Sequence, residues 1–269
     1  MEAKSQRGHE VAASTSFALY CAVLPPAAVV VSDAHILHGG GDQADSFHRF
    51  LEIVPELGDH LVINGDLFEF WFEYRLVIPR GAYRTLEALS ALRRKGVRIT
   101  VTGGNHDRWG GPFWRDELGA EFHPHGSEID LAGFRALVRH GDGMTESEWG
   151  SRVLHAVVGH SLTARVFRWI HPDLGISLVD RLSPRLAGRA RDTASVDRAA
   201  QRQREQAESV LTARPELDLV VLGHTHRSQL VEVAPRRWFL NPGAWVEGQR
   251  YARVTEEGPA LEQFATSTP

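Results

Sequence analysis

Short apolar runs that stop abruptly at polar residues recur along this chain. "AAVVVSDAH" is the first, "HLVINGD" the second and "VRITVTGGNHD" the third. Runs of four to six mostly β-branched residues read as buried strands of a parallel sheet rather than as surface strands, which would alternate. Between them the period changes. From about Asp45 to Leu57, Phe47, Phe50, Leu51 and Val54 fall on one helical face, and a second helical pattern covers about Ala82–Lys95, stopped by Gly96. This β-α-β-α-β alternation predicts a parallel sheet with helices on its faces.

After Phe122 the pattern shifts. "SEIDLAGFRALVRHGD" alternates as a hairpin turning at Ala132-Gly133, about Thr145–Ala213 reads as mostly helical, and "LDLVVLGHTH", "QLVEVA" and "RWFLNPGAW" return to strands. No internal repeat or low-complexity linker divides the chain. The expectation is a poorly ordered leader over 1–26 and one domain over 27–269, carrying a helical insertion at about 145–213. The apolar stretch before Ser32 is broken by Pro25 and Pro26 and is too short to span a bilayer; Glu10 beside the basic residues argues against a signal peptide. With one cysteine, Cys21, no internal disulfide can form. A cytoplasmic protein is expected.

Charge adds little, since the formal net charge of −4 gives no sign of nucleic-acid binding. Histidine changes the picture: there are fourteen, and several sit where the strands end. Five strand ends carry Asp33 and His35, Asp66, Asn105 with His106 and Asp107, His140, and His224 with His226. Carboxyl ends of strands in an open α/β sheet converge on one crevice, so residues nearly two hundred positions apart become neighbours. Taken singly, each motif reads as a turn, a helix cap or a hydrogen-bonded histidine; His224 and His226, on an extended segment, would face the same side. Taken together, they make a set of oxygen and imidazole ligands without a thiolate. That set suits Mn²⁺, Fe²⁺ or Zn²⁺. Seven ligands are too many for one ion with an open position and suit two ions roughly 3.5–4 Å apart.

The series D-x-H, G-D, G-N-H-D, H and G-H-x-H resembles the calcineurin-like metallophosphoesterases, over about Val29 to Val254. The resemblance implies a four-layer α-β-β-α sandwich with a helical cap inserted after His140. It also implies that Asp33, His35 and His226 hold one divalent ion, that Asn105, His140 and His224 hold the other, and that Asp66 bridges them. Mn²⁺ is the expected metal. His106 then faces the substrate, to stabilise or protonate the leaving oxygen, with Asp107 fixing its ring. Two cations would acidify a shared water for in-line attack on phosphorus. "FLNPGAW" is similar to the Asn-Pro-Gly turn that follows the last histidine pair in this family.

"GDLFEFWFEYRLVIPRG" further resembles the G-D-x-F-x-F-W form of bacterial UDP-2,3-diacylglucosamine diphosphatases, which release UMP and 2,3-diacylglucosamine 1-phosphate in lipid A synthesis. Where better-studied members carry Arg after the Asn, this chain has His106. Another phosphoesterase activity, on nucleotides or phosphodiesters, therefore stays open. Ser151–Arg191 is a basic island, with Val158, Leu162, Val166 and Trp169 at helical spacing. An anionic nucleotide-lipid would use both features, and such a cap could rest on the cytoplasmic face of the inner membrane. Arg165 and Arg168, together with Asn105, are the expected substrate contacts. Phe68, Phe70, Trp71 and Phe72 read as core before acyl pocket. A scaffold that had lost catalysis should lack ligands, and all seven are present here.

Overall fold

The computed structural model describes residues 24–37, 40–144, 163, 166–167, 169–177 and 193–265. Arg165, Arg168, Val158, Leu162, the proposed leader before residue 24 and most of the expected insertion lie outside the described residues.

Two sheets face each other. The first has the order β11-β10-β1-β2-β3-β4. In it β1 (Ala28–Val31), β2 (His60–Asn64), β3 (Arg98–Thr102) and β4 (Glu121–His123) run parallel. The hairpin β10 (Arg250–Thr255) and β11 (Gly258–Gln263) closes the β1 edge antiparallel. The second sheet has the order β5-β6-β7-β9-β8. It comprises β5 (Ser127–Leu131), β6 (Phe134–Val138), β7 (Leu219–Val221), β8 (Gln229–Ala234) and β9 (Arg237–Asn241), with β6, β7 and β9 parallel. The β5–β6 hairpin turns at Ala132 and Gly133, both with positive φ, as the right-handed twist of paired strands requires.

Strand alternation sorts the core into three layers of contact. Val29, Val31, Leu61, Ile63, Ile99 and Val101 pack under α1 (Asp42–Leu57) and α2 (Tyr83–Arg94). The other faces of β1 and β2 supply Ala28, Val30 and Val62, which meet Ala136, Val138, Leu219, Val221 and Leu240 between the sheets. Beyond α3 (Phe113–Asp116), the helix α4 (Thr193–Ala213) buries Ala207 and Leu211 against Val220, Leu222 and Phe239 on the outer face of the second sheet. The result is the four-layer α-β-β-α order. Because the relevant strands are parallel, the carboxyl ends of β1, β2 and β3 open onto one rim, opposite those of β6 and β7.

The aromatic run divides. Phe68 and Trp71 stack at 5.2 Å inside the main core. Phe70, Phe72 and Tyr74 instead join Trp109 and receive Phe167, whose ring lies 4.8 Å from that of Phe72. All five aromatics from Phe68 to Tyr74 are buried.

Candidate metal centre

Backbone hydrogen bonds stitch the loops in pairs before any side chain contributes. Asp33 N donates to Gly65 O and His35 N to Asp66 O; on the other sheet Gly223 N donates to His140 O. The two sheets are then joined at the site itself, by His140 Nδ1 on Asn64 O at 2.9 Å and by His224 N on Asp33 Oδ2 at 3.1 Å. Asp33, His35, Asp66, His224 and His226 all take positive φ, a conformation that costs a non-glycine residue free energy. His224 and His226 therefore do not lie on an extended segment. β7 ends at Val221, and both residues sit in left-handed turns that bring their rings to different neighbours, His140 for His224 and His35 for His226. Gly104 is required by crowding, because a Cβ there would collide with the Asp66 carboxylate.

Three imidazoles share one orientation. His35 Nδ1 pairs with Glu69 Oε2 at 3.0 Å, His226 Nδ1 with Glu247 Oε1 at 2.7 Å, and His140 Nδ1 with Asn64 O. Each Nδ1 thus donates outward, which assigns the ring tautomer and leaves Nε2 turned inward. Inward lie carboxylates: His140 Nε2 is 3.1 Å from Asp66 Oδ2, His226 Nε2 is 3.4 Å from Asp33 Oδ1, and His35 Nε2 is 3.8 Å from Asp66 Oδ2. Asp33 and Asp66 are fully buried.

This electrostatic arrangement calls for cations. Burial alone would raise the Asp33 carboxyl, yet His140 and His226 bring it down to about 2. Asp66, likewise pushed up by burial, is held well below the carboxylate range by His140, His106 and His35. Burial lowers His140, but Asp66 and Asp33 carry it up to about 10; Asp33 and Glu247 carry His226 up to about 8 against the same opposition. Buried carboxylates kept ionised by the charge of neighbouring imidazoles are a site built for positive charge. Asn105 Oδ1 is buried with no hydrogen-bond partner among the described residues, and Asp33 Oδ1 and His140 Nε2 meet site groups of opposite charge at 3.4 and 3.1 Å without hydrogen-bond geometry. Buried polar atoms are rarely left so, and oxygen and imidazole atoms converging on one crevice in this way fit divalent ions. The donor atoms of Asp33, His35 and His226 lie within 4.8 Å of one another, and so do those of Asp66, His140 and His224.

His106 departs from expectation in what holds it. Asp107 does not touch its ring. The buried Asp107 carboxylate instead accepts the backbone N–H groups of Asp66, Leu67 and Gly104 at 3.2, 2.7 and 2.8 Å, so it shapes the loop rather than the imidazole. Three convergent amides engage both of its oxygens and turn them to the backbone. Burial, reinforced by Asp66, raises its pKa. The ring of His106 is fixed by Glu69, whose carbonyl oxygen lies 2.6 Å from His106 Nδ1, while the Glu69 carboxylate holds His35. Sequence reasoning missed Glu69, although an acid isolated between Phe68 and Phe70 was a visible signal. It also missed Glu247, which lies on a polar segment without pattern.

A family model described as calcineurin-like phosphoesterase matches residues 27–228. The chain belongs to the calcineurin-like phosphoesterases. This metallophosphoesterase is 30% identical over 242 residues to the UDP-2,3-diacylglucosamine hydrolase of Porphyromonas gingivalis, covering 82% of this chain and 91% of that one. It is 27% identical over 246 residues to the protein of the same name from Yersinia pestis, covering 87% and 97%. Among solved structures it is similar to Yfce, a phosphoesterase from E. coli, at 16% identity and a TM-score of 0.43, over 89% and 92% of the two chains. Its family and its hydrolase relatives make it a metal-dependent phosphoester or phosphoanhydride hydrolase. No helix among the described residues is long and apolar enough to cross a membrane.

Proposed function

We propose that this phosphoesterase hydrolyses the diphosphate of UDP-2,3-diacylglucosamine, giving UMP and 2,3-diacylglucosamine 1-phosphate. In this reading Asp33, His35 and His226 hold one divalent ion and Asn105, His140 and His224 a second, with Asp66 shared. Mn²⁺ is the ion we favour, because a mixed oxygen and imidazole set accepts it without thiolates. The observation that carries the reading is the convergence of three inward-turned imidazole nitrogens on two buried carboxylates. Relatives named for this substrate supply the substrate class.

Divalent ions bound there supply Lewis acidity toward phosphate oxygens and a nucleophilic water near neutral pH. The chain contributes the rest. With His106 Nδ1 held on the Glu69 carbonyl, Nε2 is the atom left to meet substrate. A proton on Nε2 passes to the phosphate oxygen that departs as the anhydride P–O bond breaks. Asn105 adds a neutral oxygen, which leaves more of the ions' charge for the substrate.

The lipid half of the reading has its own support. Thr163, Val166, Phe167 and Ile170 line an apolar recess of about 320 Å³, seated on the Phe70–Phe72–Tyr74 cluster through Phe167. Leu76, Val77, Trp169 and Leu174 are large apolar side chains exposed on the segments around Tyr74 and Phe167. Acyl chains would fit the recess, and the exposed residues suit contact with a bilayer surface. We assign Arg165 and Arg168 to the substrate phosphates as part of the same reading. The test is UMP release from UDP-2,3-diacylglucosamine by Mn²⁺-loaded protein, beside an aryl phosphodiester. Rapid acyl-dependent release supports the assignment. Cleavage of the diester alone keeps the hydrolase, discards the lipid and points to His106, where the family resemblance implies Arg, as the cause.

A further inference from the structure

α4 carries almost no apolar pattern at its start, reading "TASVDRAAQRQREQ", yet one of its glutamines is wholly buried. Gln203 Nε2 donates to Gly223 O at 2.8 Å. Its Oε1 accepts Thr225 Oγ1 at 3.1 Å and Asn241 Nδ2 at 2.9 Å. Asn241 Nδ2 also reaches Gly223 O and Thr225 Oγ1, so the network closes on itself. The same amide lies against Gly141, where a Cβ would come within 2.8 Å of Gln203 Nε2. Gln203 therefore touches the residues on both sides of His224 and the residue after His140. It does so from a helix also tied to the second sheet at Asp197, which pairs with Arg227, and at Ala200, whose carbonyl accepts Gln229 Nε2.

We infer that Gln203 is a positioning residue for the metal centre, a buried amide that sets the His140 and His224 loops together and so governs binding of the ion they share. The inference rests on the two-ion reading above. The loops of His35 and Asp66 are held by other groups, and the His226 ring, beyond Thr225 on the same turn, is held by Glu247, so the effect is selective. Geometry makes glutamine specific here: one end must donate to a carbonyl while the other accepts two donors, and no apolar or purely accepting side chain does both.

The experiment is calorimetric titration of metal-free full-length protein with Mn²⁺, comparing wild type, Gln203→Leu and Arg204→Ala. Arg204 is the surface neighbour that pairs with Glu208 at 2.7 Å. Wild type and Arg204→Ala should take two ions. Gln203→Leu should keep one at unchanged affinity and bind the second about 10–100-fold more weakly, the usual loss when the partner behind a ligand is removed. Should Gln203→Leu fail to fold, Thr225→Ala deletes the two bonds that Thr225 Oγ1 makes to Gln203 and Asn241, leaves the Gln203 bonds to Gly223 and Asn241, and should show the same selective loss in smaller measure. Two ions bound equally well by wild type and by the folded network variant would overturn the inference alone. Fewer than two ions in wild type would overturn the two-ion reading and this inference with it.

Discussion

The loops after β1 to β3 and those after β6 and β7 meet in one crevice but are held there by different means. On the first sheet the holding is local. Left-handed backbone at Asp33, His35 and Asp66, the Asp107 carboxylate on three amides, and Glu69 behind His35 all come from the motif segments themselves. On the second sheet it is remote. His140 leans on Asn64 O of the first sheet, and the His224 turn leans on Gln203 of α4 and Asn241 at the end of β9. A site half of which is built from its own motifs and half from distant supports should break in two characteristic ways.

The largest effect belongs to the residue common to both halves. Asp66→Asn removes the carboxylate facing His140 and His35, and UMP release should fall by about a thousandfold or more, as when a principal electrostatic group is lost. Steady-state kinetics with metal counted per chain checks this; a fall of tenfold or less would detach Asp66 from the centre. Next comes His106→Ala. Loss of a general acid costs about 10²–10⁴-fold in kcat while metal content stays at the wild-type value, and metal loss instead would make His106 a ligand. Smaller again is Glu69→Gln, which keeps a hydrogen bond to His35 but not the charge. We expect about tenfold weaker Mn²⁺ binding, restricted to one ion. Set beside Gln203→Leu, it should weaken the opposite ion, and identical titration curves for the two variants would erase the distinction between halves.

A control away from the crevice sharpens the comparison. His60 is buried in β2, with Nε2 on Thr100 Oγ1 at 2.8 Å and Arg98 3.0 Å from Nδ1. Burial, reinforced by the Arg98 charge, lowers it to about 3. Unfolded, it titrates near the ordinary histidine value of 6.5. Between those values the unfolded chain binds the extra proton, so this contribution is intact above 6.5 and is lost as pH falls toward 3. The acid limb of a chelator-treated denaturation series should carry on the order of 5 kcal/mol from it. His60→Leu should flatten that limb, and an unchanged slope would assign acid lability to the metal ligands instead.

What the sequence disclosed follows the same division. β1, β2 and β3 were legible because both faces are buried, and the helices between them because their apolar faces are regular. The hairpin at Ala132-Gly133 was marked by its turn. The β10–β11 hairpin was not, since β11 is an edge strand with most of its residues exposed or half-buried, and "GPALEQ" carries no hydrophobic rhythm. All seven candidate ligands were legible as strand-end motifs, and the crevice that gathers them follows from parallel topology. The supports were harder to see. Glu69 sat inside a motif and could have been read; Gln203 could not, because a polar residue buried by three hydrogen bonds looks, in sequence, like one facing solvent. Asp107 shows the opposite error, a motif residue adjacent to His106 in sequence whose carboxylate turns to the backbone.

The most direct test is anomalous diffraction from crystals soaked in Mn²⁺. Two peaks are expected, one coordinated by Asp33, His35 Nε2 and His226 Nε2, the other by Asn105 Oδ1, His140 Nε2 and His224, with Asp66 touching both. A single peak, or ions bound through the outward Nδ1 atoms, would contradict the account.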